Sequence, residues 1–396
     1  MLANRVKEIS ESPTMMVAAE AKKLKAEGVD IIDLSMGEAD FHTPNNIKAV
    51  GINAIEENKT RYTLNQGTIE LRTAISAKLK LDNSLKYNIN EIIVSNGAKQ
   101  GVYNSIFALI NPGDEVIIPA PYWVSYPAMV SLAGGKSIFI HTDESTGFKV
   151  TAEQLSKAIT LKTKMLLLCN PSNPTGSVYS KKELEALAEI VLKNNFYVLA
   201  DEIYEKLVYD DFKFTSFASL GAEIKNRTIL INGISKSYAM TGWRVGYTAA
   251  PEYIINAINK IQSHTTSHAS TISQYAAVEA VSGPQYVINE MIDEFRKRRN
   301  FFHNELISIN GITCYKPEGA FYLFPNISRY FKTRSDVLKI DNSFDFAMHL
   351  LYEAHIAAVP GSAFGSEGFL RMSYSTSMEN LQEAIYRLKN ALEKIH

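Results

Sequence analysis

The chain has 396 residues, with 41 Lys plus Arg against 42 Asp plus Glu, a net charge of −1 at pH 7. At about 150 residues per domain that length suggests two to three domains, and the even charge balance offers no electrostatic ground for a nucleic-acid or acidic-membrane partner. A hydrophobic fraction of 46% with 21% charged residues excludes a disordered chain, and two cysteines, Cys169 and Cys314, exclude a disulfide scaffold or a cysteine-rich zinc module. Two free thiols are a simpler reading than one bridge. The first sixteen residues carry no apolar core of signal-peptide length, and no stretch of about 18 uncharged apolar residues occurs. A cytoplasmic setting is therefore expected.

In chain order, the pattern predicts a helix over 15–27 ended by Gly28, then a strand at 31–34. An apolar run at 92–95 leads into a helix from Lys99 to residue 110, and Pro112-Gly113-Asp114 turns the chain into a strand at 116–118. Further strands are expected at 165–169, 196–200, 228–231 and 243–249, with an amphipathic helix at 181–193. These runs are short, apolar on both faces and separated by helix-length segments. Strands of that kind are covered on both sides, so the middle reads as an α/β fold around a mostly parallel sheet. Beyond about residue 283 the pattern changes to a long charged helix at 285–307, strand-like runs at 319–323 and 370–375, and a helix at 378–395. The expected plan is a large α/β domain over 46–282 and a smaller α+β domain built from 1–45 plus 283–396.

The segment Gly233-Ile-Ser-Lys236-Ser-Tyr-Ala-Met-Thr-Gly-Trp-Arg244-Val-Gly246 follows a strand. Lys236 sits there among small and apolar neighbours, a setting that disfavours the ammonium form and suits an amine required as a nucleophile. A surface lysine in a turn is the plainer alternative. Taken as a whole the segment resembles the lysine signature of the class I pyridoxal-phosphate-dependent aminotransferases of fold type I, at every defined position.

That resemblance extends over essentially the whole chain and is closest to the bacterial aspartate aminotransferase branch, as in residues 35–41, 121–127 and 239–247. It implies pyridoxal 5′-phosphate as cofactor, held by Lys236 as an internal aldimine, and a homodimer with shared active sites. Asp201, in Asp201-Glu202-Ile203-Tyr204, lies where parallel sheets bind ligands; the resemblance makes it the partner of the pyridine nitrogen and makes Tyr204 a hydrogen-bond partner of the phenolic oxygen. Asn173, in the proline-stiffened loop Asn170-Pro-Ser-Asn173-Pro-Thr-Gly176, is implied to contact both that oxygen and the substrate carboxylate.

Ser95-Asn96-Gly97-Ala98-Lys99-Gln100 joins a strand to a helix, where backbone amides can approach a phosphate. It is neither a dinucleotide nor a nucleoside-triphosphate loop. By resemblance Gly97, Ala98 and Lys99 form the phosphate cradle with Arg244. Many relatives carry a phosphate-binding serine where this chain has Gly233, and Ser235 is left unassigned. Trp123 matches the ring-stacking aromatic, while Tyr122 reads as packing. Arg371, an arginine within an apolar strand, matches the substrate-carboxylate fork, with Gly37 as a backbone contact to the same group and Tyr62 reaching the phosphate of the neighbouring subunit.

Lys99 is also a candidate for the distal carboxylate of aspartate or glutamate; service to the phosphate alone is its alternative. The eight histidines show no HExxH spacing and no cluster of acidic ligands stands out, so no metal site is expected. The function implied is transamination between an amino acid, aspartate or glutamate first, and a 2-oxo acid. An aromatic or prephenate aminotransferase, a carbon–sulfur lyase and a cofactor-binding regulatory module are the alternatives.

Overall fold

In the computed structural model, residues 3–7, 13–335 and 338–395 are described. Residues 1–2, 8–12, 336–337 and 396, within the N-terminal stretch and the expected smaller domain, lie outside the described residues. No helix among the described residues is long and apolar enough to cross a membrane.

The centre is a seven-stranded sheet in the spatial order Ile92–Ser95, Gly246–Ala249, Thr228–Gly233, Tyr197–Asp201, Thr163–Cys169, Glu115–Ala120 and Lys136–His141. Every strand is parallel to its neighbours except Gly246–Ala249, which runs against both of its own. The inner strands Glu115–Ala120, Thr163–Cys169, Tyr197–Asp201 and Thr228–Gly233 are mostly buried on both faces, in keeping with their runs of Val, Ile and Leu. Helices cover them. Lys181–Asn194 begins in a capping box between Ser180 and Glu183 and ends at Asn195 in the left-handed region, so both ends are locally encoded.

Register places the chemistry at one edge. Cys169 is opposite Asp201, and Asp201 is opposite Ile231, so three adjacent strands end together at their carboxyl ends. The loops bearing Asn173, Lys236 and Trp123 leave from that edge.

The chain ends come together beside this sheet. Ile32–Asp33 pairs in parallel with Ile356–Ala357, and Leu34 shares a core with Phe295, Phe302, Phe321 and Leu388. A three-stranded antiparallel sheet, Val359–Pro360, Leu370–Ser373 and Tyr322–Leu323, carries Arg371. The long helix appears as Tyr286–Ile307 and the last one as Met378–Leu392.

Two expectations need correction. The strand expected over 243–249 is a tight turn at Thr241–Trp243, then Arg244 at φ 57°, and only then a strand at Gly246–Ala249. The left-handed Arg244 cannot continue an extended run. Lys136–His141 is a strand that the pattern did not announce. It is an edge strand with an exposed Lys136, Phe139 and His141, so it lacks the apolar signature of its buried neighbours.

Candidate active site

A cleft of about 540 Å³ opens where the carboxyl edge of the large sheet faces the Arg371 strand. Of the residues singled out from the sequence, all but Gly97 and Tyr62 line it. A surface cleft of about 610 Å³ near Gly147 and Tyr315 holds none of them.

Lys236 follows the Thr228–Gly233 strand and is half-buried, its amine donating to the Gly37 carbonyl and lying 5.9 Å from the centre of the Tyr204 ring. Burial first, then the positive charge of Arg371, pulls the amine down to about 8, with Glu38 and Asp201 opposing. An ordinary lysine near about 10.4 would be almost wholly charged at neutral pH, whereas Lys236 keeps a usable neutral fraction. Asp201 is 5% exposed. Burial pushes its carboxyl up; a hydrogen bond from the Tyr126 hydroxyl at 2.7 Å and the charge of Lys236 oppose that shift.

The end of the cleft at Ala98 and Arg244 is built largely from backbone. Gly97 takes φ 80° as the residue before the Ala98–Leu109 helix, whose first amides have no partner within the helix. A Cβ on Gly97 would collide with the Arg244 guanidinium, and one on Gly246 would collide with the Gly97–Ala98 backbone. Among the described residues the Arg244 guanidinium donates to the carbonyls of Thr241 at 2.9 Å and Asn96 at 3.3 Å and pairs with no carboxylate. At Gly233 a side chain would meet Gly246 Cα and the Val245 carbonyl at 2.9 Å, so a serine has no room there. Ser235, buried and on the cleft, is the hydroxyl that is present.

Arg371 forms the opposite wall. Its guanidinium donates to Asn173 Oδ1 at 3.1 Å and to the Ser35 carbonyl at 2.6 Å, and it lies 4.6 Å from the centre of the Tyr322 ring and 5.2 Å from that of Phe364. Its Nε is buried without a partner, and no carboxylate of the described residues pairs with it. A buried guanidinium in that state has unused donor capacity for an anion. Trp123 lines the cleft with the Lys99 ammonium 4.9 Å from its ring centre. Burial and the nearby Arg244 push the Lys99 amine down. Tyr122 instead stacks on Phe139 at 5.0 Å, as a packing residue. Tyr62 is 93% exposed, edge-on to His268 and away from the cleft.

Sequence reasoning missed three partners. Tyr126 holds Asp201; Tyr322 shares a 2.8 Å hydrogen bond between hydroxyls with Tyr204; and Glu38 accepts from Thr241 at 2.7 Å at the mouth of the cleft. Tyr126 and Glu38 lie inside segments already singled out, but nothing local marks what they touch.

A nucleophilic amine, a buried carboxylate and an amide-plus-guanidinium cradle converge with a carboxylate fork. This donor set fits pyridoxal 5′-phosphate and an amino acid together. The family model for class I and II aminotransferases matches residues 29–388. An aspartate aminotransferase of Bacillus sp. strain YM-2 is 47% identical over 388 residues, covering 98% of both chains. A probable aspartate/prephenate aminotransferase of Rickettsia conorii is 46% identical, covering 100% of this chain and 99% of that protein. The crystal structure of the aspartate aminotransferase from Rhizobium meliloti superposes with a TM-score of 0.97 at 43% identity, covering the whole of both chains. The chain belongs to the class I and II aminotransferases. It is an α/β enzyme of that family, and transamination is its reaction.

Proposed function

We propose that the enzyme transfers the amino group between aspartate or glutamate and the corresponding 2-oxo acids, oxaloacetate and 2-oxoglutarate, with pyridoxal 5′-phosphate held at Lys236. When bound, the cofactor supplies an electron-accepting pyridine ring and an aldehyde carbon that takes up an amino group. Lys236, whose amine keeps a neutral fraction, would hold that carbon and, when free, could take a proton from the substrate Cα and give one back. Asp201 keeps an anion opposite the ring nitrogen. Tyr204 and Asn173 would hold the phenolic oxygen, Trp123 would lie against the ring, and the amides at Gly97–Lys99 with Arg244 would take the phosphate. Arg371 and Asn173 clamp the substrate carboxylate and so fix the orientation of the Cα–H bond.

The observation that carries this reading is the buried Arg371 guanidinium with no carboxylate partner and an unsatisfied Nε, on the same cleft as Lys236. A donor–acceptor panel on purified protein with added cofactor tests it. Aspartate or glutamate should be consumed only when a 2-oxo acid is present. Consumption of a donor without an acceptor would point to a lyase, and turnover of neither would point to a regulatory module.

A second reading, an enzyme that also serves aromatic donors or prephenate, is favoured by the cation at the far side of the cleft. That cation is Lys99 lying against Trp123, a flexible point charge and not a planar fork. The same panel, extended to phenylalanine and prephenate, separates the two.

We also propose the division into a large domain over 46–282 and a smaller one over 1–45 plus 283–396, supported by the common core of the two chain ends. The homodimer is proposed on Tyr62 and the exposed Ile52, Ile55 and Leu64 around it in the sequence, which suit a second copy of this chain. Free thiols at Cys169 and Cys314 support a reducing, cytoplasmic setting.

A further inference from the structure

Asp201 is held by one side chain whose place in the fold also fixes Trp123. Tyr126 is the second residue of the Ser125–Leu132 helix and is 1% exposed. Its amide donates to the Trp123 carbonyl at 3.0 Å, closing the turn that carries the indole. Its ring meets the indole edge-on, with 5.2 Å between centres and 84° between planes. Its hydroxyl donates to Asp201 Oδ2 at 2.7 Å. The phenol thus packs against the indole while its hydroxyl holds the carboxylate.

We propose that Tyr126 is a positioning residue that sets both the aim and the charge of Asp201 toward the pyridine nitrogen and squares Trp123 to the ring face. The proposal rests on the reading of Asp201 as that nitrogen's partner. A buried carboxylate prefers to be neutral, and a neutral Asp201 could not keep the ring nitrogen protonated. The groups facing Asp201 are few. The Tyr126 hydroxyl is its strong neutral donor, the Ile203 amide lies at 3.4 Å, Lys236 contributes charge from across the cleft, and burial keeps the neighbouring Cys169 thiol protonated, up at about 12. Removing the hydroxyl therefore shifts the shared proton from the pyridine nitrogen toward Asp201, and the ring becomes a weaker electron acceptor.

The test is the nitrogen-15 chemical shift of holoenzyme carrying cofactor labelled at the ring nitrogen, measured beside steady-state kinetics for wild type, Tyr126→Phe and Asp201→Asn. Tyr126→Phe should shift the nitrogen toward the unprotonated signal and lower kcat on the order of tenfold, with KM for aspartate little changed. Tyr126→His, which restores an N–H donor, should recover part of both. If Asp201→Asn moves the nitrogen and Tyr126→Phe does not, Tyr126 is a packing residue and the proposal is overturned while the reading of Asp201 stands. If Asp201→Asn also leaves the nitrogen unmoved, that reading fails and the proposal falls with it. Should Tyr126→Phe not fold, difluorotyrosine at the same position answers instead. Its stronger donor should move the nitrogen toward protonation, and an unmoved signal overturns the proposal.

Discussion

Arg299 and Arg371 are both buried, at 0% and 7% exposure, and both lie against a tyrosine ring. They are used in opposite ways. Arg299, within the Tyr286–Ile307 helix, has its charge answered inside the chain by Asp210 at 2.7 Å and by the Pro317 carbonyl at 2.9 Å. Among the described residues, Arg371 donates to neutral oxygens alone and keeps an unsatisfied Nε. Taking a guanidinium out of water is costly, and folding tolerates it where an anion offsets the cost. The first arginine closes its account within the fold; the second leaves it open for a ligand. A missing partner is thus the more informative of the two observations.

The largest effect that probes this contrast lies across the cleft. Lys236→Ala should abolish transamination while leaving the fold intact, because the amine has no structural anion to satisfy. Circular dichroism, absorbance of the cofactor and a donor–acceptor assay read it together. The depressed amine has a consequence for apoprotein stability. Its folded value, about 8, lies below its unfolded one, so between about pH 8 and about pH 10.4 the unfolded chain binds more protons and folding gains stability as pH rises. Below that window the buried charge is a liability. Apo Lys236→Met should therefore melt above wild type at neutral pH, with the gap narrowing as pH rises through the window. A gap independent of pH would place the amine in solvent.

Arg371→Leu comes next. The kcat/KM for aspartate should fall on the order of a thousandfold, since a substrate carboxylate is then buried without its fork. Melting temperature should hardly move.

Arg299→Ala should show the reverse. Turnover per folded molecule should survive, while stability drops by about 2–3 kcal/mol, seen as a melting temperature several degrees lower; the exposure of Asp210 keeps the loss moderate. If Arg299→Ala hit activity and Arg371→Leu hit stability, the contrast would be inverted and the site misplaced.

The smallest effect is at Lys99. Lys99→Ala should reduce kcat/KM for aspartate about tenfold more than for an aromatic donor, by removing the distal cation. Equal losses would assign Lys99 to the phosphate alone.

The residues that meet in the cleft were legible because each stands at or just after the end of an apolar run inside a short, ordered segment. Lys236 and Asn173 follow, and Asp201 ends, strands whose burial is written in consecutive Val, Ile and Leu residues. What holds those groups was not legible. The Tyr204–Tyr322 pair is separated by 118 positions and the Tyr126–Asp201 pair by 75, and no local pattern encodes such meetings. Strand direction was equally hidden. Gly246–Ala249 runs antiparallel to Thr228–Gly233 after the connection 234–245, and hydrophobic periodicity carries no sign for direction. The unpaired state of Arg371 also needed the fold, since an absent partner can be seen only when every neighbour is in place.

The claim that Arg371 is an open receptor is tested most directly by calorimetric titration of a non-reacting dicarboxylate, such as succinate, into holoenzyme of wild type, Arg371→Leu and Arg299→Ala, with melting temperatures taken alongside. The account predicts that wild type and Arg299→Ala bind the dicarboxylate with similar affinity, while Arg371→Leu loses binding at an unchanged melting temperature. Retained binding in Arg371→Leu together with a lowered melting temperature would contradict it.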